Sequence, residues 1–536
     1  MNNSLWSIND LIDLEYFLHR YEDAPDDAAL AALKERDRYI YLNKIVPLKN
    51  ERPPLTPARI IRFWLDEQKE METSPAGTRS VLPGAAFDEI YRLLVYGFMI
   101  VGILTGSGLA ASFLNYRGTE PLNISHYLAG FVFVQCLALV LLVGMTLIRK
   151  IKKAPFHSSV VYMLISGLMT SLIKKIRHHA IQTVEGSKRG HLGAAIGLIK
   201  GKRRIYGSLF YWPVFILAQI FGIGFNVGVL GATLLKVLGS DIAFGWQSTV
   251  QFSTQAVFRL VQAVAFPWSW CVPADIAYPT RLQIEGSHMV LKDGIYHLST
   301  QDLVSWWPFL CFAVFTYGLL PRVILLITGL VAKKRALSRI DFGHAASASL
   351  LHRMTTPLVS TDGGHATAGP FHGDEIQISN MKTRDPEDRM MQKPMIALIP
   401  DDIFDACSDN ELERAVYKRL GGSIEKKLRF GEDEKGDQKV LEELVRIRRE
   451  EGAAPLDVLI VQEAWQPPIK EHLLFIQDLR KVLEKTSMIW VGLIGKPTPG
   501  SIFTPVKEDA WTAWRQRMKS LGDPYLGVER LVADGA

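Results

Sequence analysis

With 536 residues, 48% of them hydrophobic, and a mean hydropathy of +0.10, the chain is long enough for several domains and more apolar than soluble globular chains usually are. Its formal net charge of +6 is modest for that length, so no nucleic-acid partner is expected and the placing of charge matters more than its sum. The four cysteines, Cys136, Cys271, Cys311 and Cys407, form no CxxC pair and have no histidine at metal-ligand spacing, which excludes a zinc site and a disulfide framework.

The first residues, MNNSLWSINDLIDLEYF, carry neither a basic leader nor an apolar run, so no cleaved signal peptide is expected. Residues 1–90 mix acids and bases and read as a cytoplasmic helical region. Within it LTPARIIRFWLDEQKE predicts a helix with Thr56 as N-cap, Pro57 in the first turn, and Ile60, Ile61, Trp64 and Leu65 on one apolar face. The charges of this region are expected to form a solvated face.

Four windows follow that are long and apolar enough to cross ~30 Å of hydrocarbon: Leu93 to Leu114, Leu128 to Ile148, Leu209 to Leu235 and Trp307 to Val331. Each is almost free of charge over its length instead of striped at a 3.6 period, which argues against buried helices of a soluble core. The fold class expected is therefore a membrane protein with four transmembrane helices arranged as two hairpins, residues 91–150 and 207–335. The first window holds Gly102 and Gly106 at GxxxG spacing, a signature of close helix packing.

Sidedness follows from lysine and arginine. The connector 151–206 and its flanks carry thirteen cations between Arg149 and Arg204 against the single acid Glu185, and Lys333, Lys334 and Arg335 follow the fourth window. These predict the cytoplasmic side, with both termini there and the protein in a bacterial inner membrane. Lys174, Lys175, Arg177, Lys202, Arg203 and Arg204 are candidates for binding anionic head groups, although the same charges serve equally as a topology signal. The 16-residue stretch Ser158 to Ile173 is flanked by lysine pairs and is read as an interfacial helix, with a further span as the alternative.

The outer connection contains QFSTQAVFRLVQAVAF, a partly amphipathic helix expected to end at Pro267, and then the tryptophan- and proline-rich AFPWSWCVPADIAYP. Two readings stand: an amphipathic lid on the outer leaflet, or a re-entrant, pore-lining element with Arg259, Asp275 and Arg281 as its candidate residues, Asp275 and Arg281 either pairing with each other or lining an opening. Arg322, directly after Pro321 inside the fourth window, is a candidate pore or gating residue or a snorkelling structural one.

Residues 336–354 read as helical and the Gly- and His-rich stretch up to 394 as a linker. His344, His352, His365 and His372 lack regular spacing and are weak metal ligands; Asp341-Phe342-Gly343 lacks the other kinase motifs. From 395 to 536, short apolar runs alternate with helices near Glu411 to Leu420, Gln438 to Arg449, Ile469 to Leu483 and Glu508 to Lys519. This predicts a cytoplasmic α/β domain with a largely parallel sheet and Rossmann-like layering.

Ligands of such sheets gather beyond the carboxyl ends of the strands. There the sequence places Asp401 and Asp402, Glu463, and Gly495-Lys496-Pro497-Thr498. The last is not a P-loop: the first glycine is missing and Pro497 stands where the magnesium-binding hydroxyl belongs. No cofactor, metal or complete catalytic motif is expected. Glu463, Trp465, Gln466 and Pro467 are the candidate partner-docking edge, a tryptophan between an acid and two prolines making a rigid anchor. A tethered hydrolase using Asp401, Asp402 and Glu463, and a small ion or solute channel, are the alternatives.

Three segments, ERDRYIY (Arg36, Asp37 and Arg38), FPWSWCVP, and VLIVQEAWQPPIKEHLLFIQDLR, together make the chain resemble a bacterial family of uncharacterised inner-membrane proteins defined by a domain of unknown function. Its members are often encoded beside a separate Era-like GTPase. The resemblance implies a cytosolic GTPase partner and carries no catalytic residues with it; a second copy of the chain is a further candidate partner.

Overall fold

The computed structural model describes residues 6–22, 27–50, 55–73, 82–115, 121–152, 206, 209, 211–247, 252–289, 300–355, 394–431, 434–451, 455–484 and 486–532. The candidate lipid-binding cations between Lys174 and Arg204, and Ser158 to Ile173, lie outside them.

In chain order the helices are α1 (Ile8–Glu22), α2 (Asp27–Ile40), α3 (Pro57–Thr73), α4 (Pro83–Phe113), α5 (Ile124–Leu128), α6 (Val134–Lys152), α7 (Tyr211–Gly239), α8 (Thr254–Ser269), α9 (Ala274–Ala277), α10 (Arg281–Gly286), α11 (Thr300–Val304), α12 (Trp307–Ala313), α13 (Leu320–Ser338), α14 (Ala345–Thr355), α15 (Asp401–Phe404), α16 (Asp409–Leu420), α17 (Glu434–Glu451), α18 (Lys470–Val482) and α19 (Glu508–Lys519). The strands are β1 (Leu122–Asn123), β2 (Phe244–Gly245), β3 (Pro394–Pro400), β4 (Ser423–Phe430), β5 (Asp457–Glu463), β6 (Ile489–Ile494) and β7 (Leu526–Arg530). π-helical turns at Ala129–Phe133 and Val314–Leu319 join α5 to α6 and α12 to α13. The chain divides into two units, 1–9 with 81–190 and 206–339, and 10–80 with 191–205 and 340–536.

Four stretches of the first unit are helices long and apolar enough to cross a membrane: Pro83–Phe113, Ile124–Gly144, Tyr211–Gly239 and Thr300–Ser338. Each overlaps one of the four windows read from the sequence. Their packing alternates in direction. The first and third run parallel, because Gly102 faces Phe221 while Gly106 faces Phe225, four residues on in both helices. The third and fourth run antiparallel, Gly222 meeting Arg322 and Gly329 meeting Phe215.

Glycine makes the parallel contact possible. A Cβ at Gly102 would lie 2.5 Å from the Phe221 carbonyl oxygen and one at Gly224 2.5 Å from that of Met99; Gly106 and Gly228 leave still less room. Two GxxxG pairs, one per helix, thus interlock backbone against backbone.

At the end of the bundle where these helices connect, β1 pairs in parallel with β2, and three buried tryptophans organise the insert. Trp246 donates to the Ile284 carbonyl at 2.8 Å, Trp268 to that of Ala277 at 2.9 Å, and Trp306 to the Ser287 hydroxyl at 2.9 Å. The helix α8 runs through Pro267 to Ser269, with Trp270 as its C-cap, and does not end at Pro267 as the sequence suggests. A proline in the last turn costs one backbone bond to the preceding turn. The ring of Trp268, packed on Phe309, Phe312 and Tyr317, keeps that turn in place.

In the second unit five strands form a wholly parallel sheet in the order β4-β3-β5-β6-β7. Alternate residues of each strand feed opposite faces. Ile396, Leu398, Val458 and Ile460 join the layer with Leu444, Leu473, Ile476 and Trp514 from α17, α18 and α19. Met395, Ala397, Ile399, Leu459 and Val461 join that of Leu412 and Val416 from α16, with Ala345 and Ala348 of α14 packed against it. This is the layering expected of a doubly wound sheet. The sequence reading lacks β4, SIEKKLRF, whose charges face solvent along an edge strand. It also runs one helix across 336–354, whereas the chain breaks between α13 and α14, where Asp341 accepts from the Gly343 backbone at 2.8 Å and from the Tyr525 hydroxyl at 2.7 Å.

Ile60, Ile61, Trp64 and Leu65 are buried on α3 as expected, but the charges of this region are not all solvated. Asp10, Asp13, Glu15 and Asp37 are buried. Asp10 and Asp13 both pair with Lys69 at 2.8 Å. Asp37 accepts the Trp64 indole N–H at 2.8 Å and faces the Arg353 guanidinium of α14 at 3.6 Å. Arg38 adds a bond to the Met354 carbonyl at 2.9 Å. The ERDRYIY segment therefore holds α2 and α3 to α14.

Candidate functional sites

The docking candidates stand at the carboxyl end of β5, where the sheet order reverses around β3. The backbone N–H of Ala464 donates to Ile494 O at 2.7 Å, extending the sheet for one residue before the turn. Glu463, itself buried, then gathers the turn around its carboxylate: Trp465 Nε1 donates to Oε1 at 3.2 Å and Gln466 Nε2 to Oε2 at 2.9 Å. The Gln466 carbonyl accepts from Trp514 Nε1 at 2.9 Å, tying the turn to α19. Trp465 keeps 51% of its surface exposed, with the Lys496 ammonium 5.5 Å from its ring centre. Pro467 and Ile469 are exposed beside it in sequence. Thus Glu463, Trp465 and Gln466 come together as one hydrogen-bonded turn, in which the acid is a support and the tryptophan is the group presented.

The proposed hydrolytic acids have other occupations. Arg429 of β4 bonds Asp401 and Asp405 at 2.7 Å each and lies 4.5 Å from the Phe404 ring centre. The Asp401 hydrogen bond is the main reason its guanidinium is held above the ordinary range. Gly495 and Lys496 form no open phosphate cradle: the Gly495 N–H donates to Thr504 O at 2.8 Å, and the Lys496 carbonyl accepts from the Thr504 hydroxyl at 2.9 Å. Among the described residues no three His, Cys, Asp or Glu side chains are placed to share a metal ion. His344 is buried, 3.1 Å from the Ser347 hydroxyl and 4.0 Å from Glu15. The His352 ring meets the Lys418 carbonyl at 3.3 Å. His365 and His372 lie outside the described residues. Burial pushes the Cys407 thiol up to about 11, so it stays protonated at neutral pH.

Of the pore candidates, Arg259, Asp275 and Arg281 are exposed, and Asp275 and Arg281 form no ion pair with each other. Arg322 lies against the third long helix. Its Cδ and Nε border Gly222, and one guanidinium nitrogen reaches Gln219 Oε1 at 3.4 Å. No carboxylate meets it among the described residues, and its Nε is buried without a hydrogen bond.

Gln219 opens a pattern that the sequence reading missed. Gln219, Asn226 and Thr233, seven residues apart on α7, are all buried; Gln219 reaches the fourth long helix, and Asn226 and Thr233 reach the second. Asn226 and Gln135 exchange amide hydrogen bonds at 2.9 and 3.0 Å, and Gln135 also donates to the Phe131 carbonyl at 2.8 Å in the π-helical turn. Thr233 pairs with the Tyr127 hydroxyl at 2.8 Å. Gly318, in the other π-helical turn, leaves room for the Asn226 amide. The available signal was the spacing: three lone polar residues, two turns apart, on an otherwise apolar helix.

Residues 178–523 match the family described as a protein of unknown function, DUF2868. The match spans more than half of the chain, which therefore belongs to that family. It takes in the third and fourth long helices, the FPWSWCVP insert and the Glu463 turn, and leaves ERDRYIY outside. No curated protein and no solved structure matches the chain.

Proposed function

We propose that this is a multi-pass inner-membrane protein whose cytoplasmic α/β unit docks a cytosolic, GTPase-like partner through Trp465. Membrane insertion is supported by four charge-poor helices that alternate in direction, with leucines such as Leu93, Leu104 and Leu235 turned outward. A soluble bundle would cover such residues. The cation-rich connector and the cations after α13 support cytoplasmic termini. The nature of the partner comes from the family resemblance.

The observation that carries docking is a half-exposed indole fixed at the carboxyl end of the sheet by Glu463, which lowers the ordering cost of binding. Capture of partners from solubilised native membranes by wild type and Trp465→Ala tests it. Loss of a nucleotide-hydrolysing protein from the variant, with unchanged thermal unfolding, is expected; equal recovery by both forms would overturn the docking role.

A second reading, an ion or solute channel, is favoured by Arg322, a cation within the fourth long helix with no acid partner among the described residues. Liposome flux that changes charge selectivity in Arg322→Gln is its expected signature; flux absent from wild type removes this reading.

A further inference from the structure

The insert between the third and fourth long helices has two apolar faces where a lid floating in water would need only one. Along α8, Val261, Ala265 and Trp268 are buried against the helix bundle. The opposite side presents Leu260 at 64%, Phe266 at 75% and Trp270 at 82% exposure, with Ala263 between them, and α10 adds Leu282 at 78%. The one charged residue on this stripe, Arg259, stands a turn before Ala263, where a long side chain can snorkel to the head groups; from Leu260 to Trp270 the stripe is apolar and matches a hydrocarbon surrounding, not water.

The polar atoms at the carboxyl-terminal end of that side are already satisfied. Trp270 Nε1 donates to the Pro267 carbonyl at 2.7 Å, the Ser269 hydroxyl to Phe266 O at 3.3 Å and the Cys271 thiol to Trp268 O at 3.3 Å. An interfacial tryptophan ordinarily keeps its N–H for water or a head group. Here the indole has closed its polar end internally, as a group immersed in acyl chains must.

Depth follows from the fourth long helix. The Tyr317 hydroxyl donates to the Val264 carbonyl of α8 at 2.9 Å. Sixteen residues separate Tyr317 from Lys333, about 24 Å at the usual helical rise. With Lys333 at the cytoplasmic boundary of a core ~30 Å thick, Tyr317 and the turn of α8 beside it lie below the outer boundary.

We propose that the face formed by Leu260, Phe266, Trp270 and Leu282 is embedded among the acyl chains of the outer leaflet, making the insert a lipid-anchored bracket on the fourth long helix. This rests on the membrane reading above, so the test separates the two. In full-length protein whose four cysteines are replaced by alanine, a single environment-sensitive fluorophore is placed at Phe266→Cys, at Leu282→Cys, or at Leu104→Cys on α4. Each is reconstituted in vesicles with lipids brominated along the acyl chain, and separately exposed to aqueous iodide.

Strong quenching by brominated lipid and little by iodide at 266 and 282 is expected. Quenching by lipid at 104 but by iodide at 266 and 282 would overturn the bracket alone. Shielding from both quenchers at 266 and 282 would mean that protein, such as a second copy, covers the face, and would equally overturn it. Iodide quenching at 104 would remove the membrane reading and the bracket together.

Discussion

Asp37 accepts the indole N–H of Trp64 at 2.8 Å with no exposed surface of its own, and the same carboxylate faces Arg353. One buried acid therefore joins α2, α3 and α14. Replacing it by alanine leaves a mostly buried guanidinium opposite an apolar side chain, a change that typically costs about 3 to 5 kcal/mol. Asp37→Asn retains an acceptor for Trp64 and should cost less. Thermal unfolding of the two variants, and of Trp64→Phe, is expected to rank Asp37→Ala lowest; equal melting points would show that Arg353 does not depend on Asp37.

The glycine contacts between α4 and α7 give a second expectation. Gly106→Leu or Gly228→Leu must displace a facing backbone, and overpacking of this kind costs about 1 to 3 kcal/mol or more where neither helix can yield. Gly108→Leu, on the same α4 where a Cβ would meet nothing within 4 Å, is the control and should leave thermal stability in detergent unchanged.

What the sequence made readable and what it hid divide along physical lines. Charge-free length announced the four long helices, and alternation of apolar runs with amphipathic helices announced the parallel sheet, because both depend on local composition. The edge strand β4 was hidden because Lys426, Lys427 and Arg429 belong to an exposed rim, where they pair with Glu443, Asp409 and Asp401. The burial of Asp37 was hidden because its partners are 27 and 316 residues away: a solvated charge and a buried hub look the same in one dimension. Glu463 and Trp465 were legible as a turn, but their roles, support and presented face, emerge only from the hydrogen bonds.

The reciprocal amide pair Gln135–Asn226 can be tested by a double-mutant cycle. Either leucine substitution alone strands the other amide among apolar helices, at a cost of about 0.6 to 2 kcal/mol. The double variant removes both polar groups and should recover part of the loss, since an unmet donor is more harmful than an absent pair. Strictly additive losses would indicate that the two amides do not act as a pair.

A pH prediction follows from His472. Its ring stacks on Trp514 with centroids 5.5 Å apart, and its Nδ1 is buried without a hydrogen-bond partner. Burial lowers its pKa below the ordinary 6.5, the nearby Glu471 only partly opposing this. The folded state thus binds fewer protons than the unfolded one, so stability rises with pH across this titration. The contribution is fully present above the unfolded value of 6.5 and is lost as pH falls from there through the lower folded value. His352, also lowered chiefly by burial, adds a contribution of the same sign. Denaturant unfolding followed between pH 8 and pH 5 should show wild type losing stability on acidification. His472→Gln, which cannot protonate, should lose less over that interval, and identical slopes for the two proteins would show that the imidazole is not held neutral by the core around Trp514.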